Sequence, residues 1–306
     1  MIQRYDFAPL DGITKVVFRQ VYHRLFGGAD RYFLPFFSPT DQHILTKRDR
    51  RELDPAANAG LRVVPQVMTR RAPDFLWAAE LLEDMGYTEV NLNLGCPSGT
   101  VTAKGKGSGF LAKPEELERF FDEVFASVKL PVSVKTRLGV KEPEEFERLL
   151  EIYNRYPIAC LTIHPRVQKQ FYKGTVYRDW FAWAAERSRN PLCYNGDLVT
   201  VEDCGAFEAD FPAIDAVMIG RGAVADPALF RKLRGGTPAT RREIQTFTRT
   251  LYQSYQEFYG QVGPAAQRMK EVWFFLIHLF EGGERHHKRM RRLRTPAEYE
   301  AVEAAI

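Results

Sequence analysis

The segment Asn91-Leu92-Asn93-Leu94-Gly95-Cys96-Pro97 puts a thiol and two side-chain amides at the end of a short apolar run. Val90–Leu94 reads as a buried strand, and Gly95 and Pro97 stop it sharply. Pro97 has a fixed φ and no N–H, so the strand cannot run on past the cysteine. A free cysteine beside a turn is often plain core. Here, other reactive residue types recur at comparable strand ends, and together they point to a site. They are Ala8-Pro9-Leu10-Asp11-Gly12, Gln66, Lys135 with Arg137, His164 with Arg166, Asn195-Gly196-Asp197 and Gly220-Arg221-Gly222.

Glycines in the last two motifs let backbone N–H groups approach an anion, and Arg221 can add charge-assisted bonds. Either motif alone is an ordinary tight turn. Both together match the loops that share a phosphate site in a β/α barrel. Lys135 closes a buried-looking run, where an unpaired ammonium is costly, so it needs an anionic or electron-rich partner or a route to solvent. His164 reads by itself as a satisfied core histidine. Gln66, Lys135 and His164 together suit the pyrimidine edge of a flavin. The set describes a phosphorylated planar cofactor with its tail at the last two loops and its ring over the barrel mouth.

The elements that must position these groups follow from the pattern. Eight short apolar runs occur, at Tyr5–Pro9, Tyr32–Phe36, Val63–Val67, Val90–Leu94, Val132–Lys135, Cys160–His164, Leu192–Tyr194 and Ala216–Ile219. Amphipathic stretches such as Ala72–Met85, Pro114–Val128, Glu142–Arg155 and Thr200–Phe207 lie between them. Strands alternating with helices imply parallel pairing through crossovers. Eight such units predict an α/β fold, a (β/α)8 TIM barrel, over residues 1–235. After Gly235-Gly236-Thr237-Pro238 the strand signal stops, and residues 239–306 predict a small C-terminal helical domain. Its helices are expected at Arg241–Tyr259, Ala265–Leu279 and Thr295–Ala305, the last opened by a capping box.

Composition narrows the class. Apolar residues make up 45% and charged residues 27% of the 306, as in a folded soluble protein. No window approaches the ~18–20 apolar residues of a membrane span, and the N-terminus has no basic head followed by an apolar run. Cys96, Cys160, Cys193 and Cys204 show no metal-ligand spacing, so reduced thiols, no metal and a cytoplasmic location are expected; a monomer is expected too, though no motif sets the oligomeric state. Charge is unevenly spread: residues 231–306 hold 14 Lys/Arg against 8 Asp/Glu, with the densest run at Arg285–Arg294. A polyanion partner fits that concentration; a solvated helix face is the plain alternative.

Taken together, the chain resembles the tRNA-dihydrouridine synthases. The resemblance is carried by Ala8-Pro9-Leu10-Asp11-Gly12, Asn93-Leu94-Gly95-Cys96-Pro97, Lys104-Gly105-Lys106-Gly107-Ser108-Gly109, Val134-Lys135-Thr136-Arg137-Leu138-Gly139, His164-Pro165-Arg166, Asn195-Gly196-Asp197 and Gly220-Arg221-Gly222. It implies FMN as cofactor, NADPH as reductant and a tRNA uridine as substrate. Ala8, Pro9, Leu10, Gln66, Lys135, His164, Asn195, Gly196, Asp197, Gly220 and Arg221 are then expected on FMN. Cys96 is expected as the acid that protonates C5 after hydride reaches C6 from FMN. Its thiol, with an ordinary pKa of about 8.5, is expected to stay mostly neutral.

Substrate contacts are expected from Asn93 on the uracil, from Arg137, Arg166 and Tyr172, from Lys104 and Lys106, and from Lys288, Arg291 and Arg292 on RNA phosphate. The Lys104–Gly109 segment fits either a mobile loop closing over the base or a plain solvated loop. Tyr172 fits either a stacking platform or an ordinary surface aromatic. The chain departs from the family at Leu10, where Met is usual, at Leu94, where Cys is frequent, and at Pro165, where Gly is common. Two other readings compete. An FMN barrel acting on a free pyrimidine, of the dihydroorotate dehydrogenase type, leaves the basic tail without a purpose. A flavin-free RNA-binding module leaves Cys96, Lys135 and the phosphate loops without one.

Overall fold

The structure is a computed structural model that describes residues 2–280 and 282–305; Met1, Glu281 and Ile306, within the expected domain spans, lie outside the described residues. Eight parallel staves close into a barrel in chain order. They are β1 (Arg4–Phe7), β2 (Arg31–Phe33), β3 (Val63–Val64, then Gln66–Val67), β4 (Val90–Leu94), β5 (Val132–Gly139), β6 (Leu161–Val167), β7 (Leu192–Tyr194) and β8 (Ala216–Ile219). The ring shuts where β1 pairs β8, from Arg4 opposite Ala216 to Phe7 opposite Ile219. Pro65 lacks an N–H and cuts β3 in two. Its lower half pairs β2 and its upper half pairs β4, so the sheet counts nine strand segments for eight staves.

Nearly every strand residue is buried, as crossover helices covering the outside of a parallel barrel require. A separate cluster of Ala8, Phe33, Val64, Cys160, Cys193, Ala216 and Met218 fills the inside. β5 and β6 run further than the apolar pattern suggested, through Gly139 and Val167, with a register shift between Arg137 and Gly139. Arg137 and Arg166, expected at the strand ends just past the apolar runs, therefore stand within the strands themselves.

Among the described residues the tail holds four α-helices, at Arg241–Tyr259, Val262–Leu276, Glu284–Arg292 and Pro296–Glu303, where the sequence pattern predicts three. The additional one is the basic run itself. It buries only Met290 and so has almost no apolar stripe to read. Thr240 with Glu243 and Thr295 with Glu298 form capping boxes. The tail docks by aromatic packing: the Phe247 ring meets Phe18 at 5.8 Å and Tyr22 at 6.3 Å, both on the helix Val16–Leu25. Arg268 Nη1 also donates to the Gly12 carbonyl at 3.2 Å, tying the second tail helix to the loop after β1.

Candidate active site

The strand ends open into one cavity of about 670 Å³. Its lining includes Ala8, Pro9, Leu10, Gln66, Asn93, Cys96, Lys135, Arg137, His164, Tyr172, Asn195, Gly196, Asp197, Gly220 and Arg221. Arg166, Lys104, Lys106, Lys288, Arg291 and Arg292 are not part of that lining.

Cys96 is held by three clamps. Asn93 Oδ1 accepts from the N–H groups of Gly95 (3.0 Å) and Cys96 (2.9 Å). Arg137 Nε donates to the Gly95 carbonyl at 2.8 Å, and Ser108 donates to the Cys96 carbonyl through both its N–H (3.0 Å) and its hydroxyl (2.9 Å). Asn93 Nδ2 in turn donates to Gln66 Oε1 at 2.7 Å, and Gln66 Nε2 donates to Asn91 Oδ1 at 2.7 Å. An amide chain thus ties β3 and β4 to the cysteine loop. It uses the Asn93 carbonyl oxygen and one amide hydrogen, leaving one N–H for a ligand. Burial raises the Cys96 thiol above its ordinary value, against the lowering effect of the Ser98 N–H and of Arg137 and Lys135.

The glycine-rich segment after Cys96 is pinned rather than free. Gly107–Ala112 forms a 3-10 helix whose Gly107, Ser108, Phe110 and Leu111 are buried. A Cβ on Gly107 would sit 2.7 Å from the Cys96 carbonyl oxygen, and its φ of +57° lies in the left-handed region. Gly107 serves close packing beneath the cysteine, so from residue 107 on the segment is a buried buttress rather than a plain solvated loop, while Lys104 is exposed.

On the adjacent strand β5, where it is paired with Asn93, Lys135 has no hydrogen-bond or ion-pair partner among the described residues. Burial, with Arg137 nearby, lowers its ammonium to about 8. His164 is pushed well below its ordinary value by burial and by the cations Arg137, Lys135, Arg166 and Arg221, so it is neutral. Arg166, expected on the substrate, is instead buried behind His164. Its guanidinium makes a two-pronged contact with Asp197 at 2.9 and 2.6 Å. β6 carries it past the barrel rim, and its charge is neutralised inside the protein.

The last two loops are built for close approach. A Cβ on Gly222 would lie 2.6 Å from the Leu198 carbonyl, and one on Gly220 would lie 3.2 Å from Ala8 Cβ. Asn195 Nδ2 donates to the Met218 carbonyl at 2.7 Å, bridging β7 to β8. Arg221 Nη2 reaches Asp197 Oδ1 at 2.7 Å. Burial works against the Asp197 carboxylate, but its bonds to Arg166 and Arg221 outweigh that and hold its pKa below the ordinary value.

Tyr172 is half exposed at the mouth, with Arg137 and Arg221 at 5.4 and 5.5 Å from its ring centre. Lys288, Arg291 and Arg292 are exposed on the tail helix Glu284–Arg292, away from the cavity wall.

The family model for "Dihydrouridine synthase (Dus)" matches residues 6–304. The chain belongs to the dihydrouridine synthase family. It is therefore an enzyme of an oxidoreductase family. It is 31% identical over 278 residues to a "Probable tRNA-dihydrouridine synthase 1" of Synechocystis sp., covering 87% of this chain and 76% of that protein. It is also 31% identical to a "tRNA-dihydrouridine(16) synthase" of Ralstonia nicotianae, covering 76% of this chain and 73% of that one. Among solved structures, a morphinone reductase superposes with a TM-score of 0.55 at 16% identity, covering 78% of this chain and 87% of that chain. A variant of NCR from Zymomonas mobilis gives 0.53 at 18%, covering 80% and 90%. These two likenesses establish the barrel fold.

In this member of the dihydrouridine synthase family, several lining residues escaped the sequence reading. Phe274 and Phe275, on the second tail helix, and Phe171, in the loop after β6, line the mouth. That tail helix buries Ala265, Met269, Val272, Trp273 and Leu276 at helical spacing, and Phe274 falls outside the stripe. A bulky aromatic off the buried face was the available signal. Ser108 gave none, because its role depends on the fold bringing it under Cys96.

Proposed function

We propose that the cavity binds FMN and that the enzyme reduces the C5=C6 bond of a tRNA uridine to 5,6-dihydrouridine, with NADPH as reductant. The observation that carries this reading is the convergence, in one cavity, of a protonated thiol, an ammonium without a partner among the described residues, a neutral imidazole and a glycine-lined anion cradle.

The residues present fit the cofactor. The backbone N–H groups of Gly196 and Gly220 and the Arg221 guanidinium, which the Asp197 carboxylate orients, would hold the phosphate end, with Asn195 bridging the two loops. Ala8, Pro9 and Leu10 offer an apolar floor, and Gln66, Lys135 and His164 offer donors for a ring edge rich in acceptors. The group supplies, when bound, the hydride that C6 of the uracil receives.

The protein's own part is proton supply and positioning. Reduction at C6 leaves electron density at C5, conjugated with the C4 carbonyl, and Cys96 Sγ–H gives C5 its proton. The raised pKa keeps that proton on sulfur at neutral pH, and the Asn93, Arg137 and Ser108 clamps hold the thiol's backbone in place. The free N–H of Asn93 is available to a uracil carbonyl. A stacked base cannot enter, so the uridine must be extruded, at least cost from an unpaired loop. Tyr172 offers a face to it, and Lys288, Arg291 and Arg292 hold RNA phosphate. We keep residues 1–235 as the catalytic domain and 239–306 as the RNA-binding one. The chain acts as a monomer in the cytoplasm.

The test is to map dihydrouridine in RNA from cells lacking the gene, complemented with the wild-type or the Cys96→Ala copy. The reading predicts loss of the modification at defined tRNA positions, restored only by the wild-type copy. Unchanged tRNA would overturn it.

A further inference from the structure

The guanidinium of Arg166 has five N–H donors, and each meets an acceptor inside the protein. Nε donates to the Lys173 carbonyl at 3.4 Å. Nη1 donates to Asp197 Oδ1 at 2.9 Å and faces His164 Nε2 at 3.2 Å. Nη2 donates to Asp197 Oδ2 at 2.6 Å and to the Gly174 carbonyl. Arg166 is 1% exposed, so no water competes for these positions.

A guanidinium offers donors only and stays charged. The histidine nitrogen facing it must therefore present a lone pair. In a neutral ring the remaining proton then sits on Nδ1. His164 lines the cavity, and its Nδ1 has no partner among the described residues. The same guanidinium holds the carbonyls of Lys173 and Gly174, which anchor the loop carrying Tyr172. Through Asp197 it also sets the carboxylate that Arg221 contacts.

We propose that Arg166 is a positioning residue that locks His164 into its Nδ1–H tautomer, so that this wall of the barrel mouth presents a hydrogen-bond donor. The lock sets which face of the imidazole can bond. A ring free to take the other tautomer would present an acceptor, and would repel a ligand edge made of carbonyl oxygens and bare ring nitrogens. Only the identity of that ligand rests on the function proposed above; the tautomer does not.

The experiment is nitrogen-15 NMR of imidazole in the cofactor-free protein, with His164→Asn identifying the His164 signals. The wild type should show a protonated Nδ1 and a bare Nε2 at neutral pH. Arg166→Gln, whose side-chain carbonyl can accept, should shift His164 toward the Nε2–H form and weaken FMN binding roughly tenfold. An Nε2–H ring in the wild type overturns the proposal whether or not the variant folds. A variant that keeps the wild-type tautomer overturns it too, while leaving the functional reading intact. Conversely, the expected tautomer shift in a protein that binds no FMN supports the lock and counts against the flavin.

Discussion

Burial lowers the Lys135 ammonium to about 8, and the chain gives it no carboxylate among the described residues. The unfolded chain keeps that proton to about 10.5 and the folded one only to about 8. The charge therefore opposes folding fully below pH 8, and the penalty disappears as pH rises through that window. Lys135→Met should stabilise the cofactor-free protein by about 1–2 kcal/mol at neutral pH, as read by denaturant unfolding. The same variant should lose most of its FMN affinity in a titration, since the ammonium is placed for the cofactor. In the wild type, an anionic ligand raises the Lys135 pKa, so binding takes up a proton and FMN affinity should fall as pH climbs past about 8. A stabilised variant that keeps full affinity would remove Lys135 from the site. The Cys96 thiol, raised by burial, should react slowly with alkylating reagents at neutral pH and faster as pH rises; fast reaction near neutrality would show a thiolate and contradict its use as an acid.

The cysteine loop depends on elements rather than on any one bond. Gly107→Ala would force a Cβ to 2.7 Å from the Cys96 carbonyl oxygen, so the 3-10 turn and the loop must part. We expect a loss of about 1–3 kcal/mol on thermal unfolding, and uridine reduction reduced further than the stability change explains. Gly105→Ala is the contrast: its φ is also positive, but the nearest atom is a flexible Arg70 carbon at 3.4 Å, so the activity should survive. The eight staves were legible because each apolar run is short and bounded by turn residues, and the site followed from reading their carboxyl ends. The continuation of β5 through Gly139 was not legible, since Arg137 looks like a loop residue until β6 pairs beside it. The role of Arg166 was missed for the same reason: its partners, Asp197, Gly174 and His164, meet it only in the closed barrel. The basic helix Glu284–Arg292 lacked the apolar spacing that marks a helix.

At the scale of the whole molecule, a cationic tail is packed onto a barrel by shared aromatics, with Phe274 and Phe275 reaching the cavity. Exposed charges act on a polyanion through counterion release, so tRNA binding should weaken steeply with salt. Replacing Lys288, Arg291 and Arg292 together by Ala should lower tRNA affinity and flatten the salt slope by up to roughly one for each lost phosphate contact, measured by filter binding. FMN content should be unchanged, because none of the three lines the cavity. An unaltered slope would move the RNA surface elsewhere.

The claim on which the rest depends is that Cys96 delivers the proton. It is tested most directly with FMN-loaded wild-type and Cys96→Ala protein, given NADPH and unmodified tRNA in one reaction. The account predicts that both oxidise NADPH in the presence of oxygen, while the variant forms dihydrouridine roughly 10²–10⁴-fold more slowly. Dihydrouridine formed by the Cys96→Ala protein at the wild-type rate would contradict it.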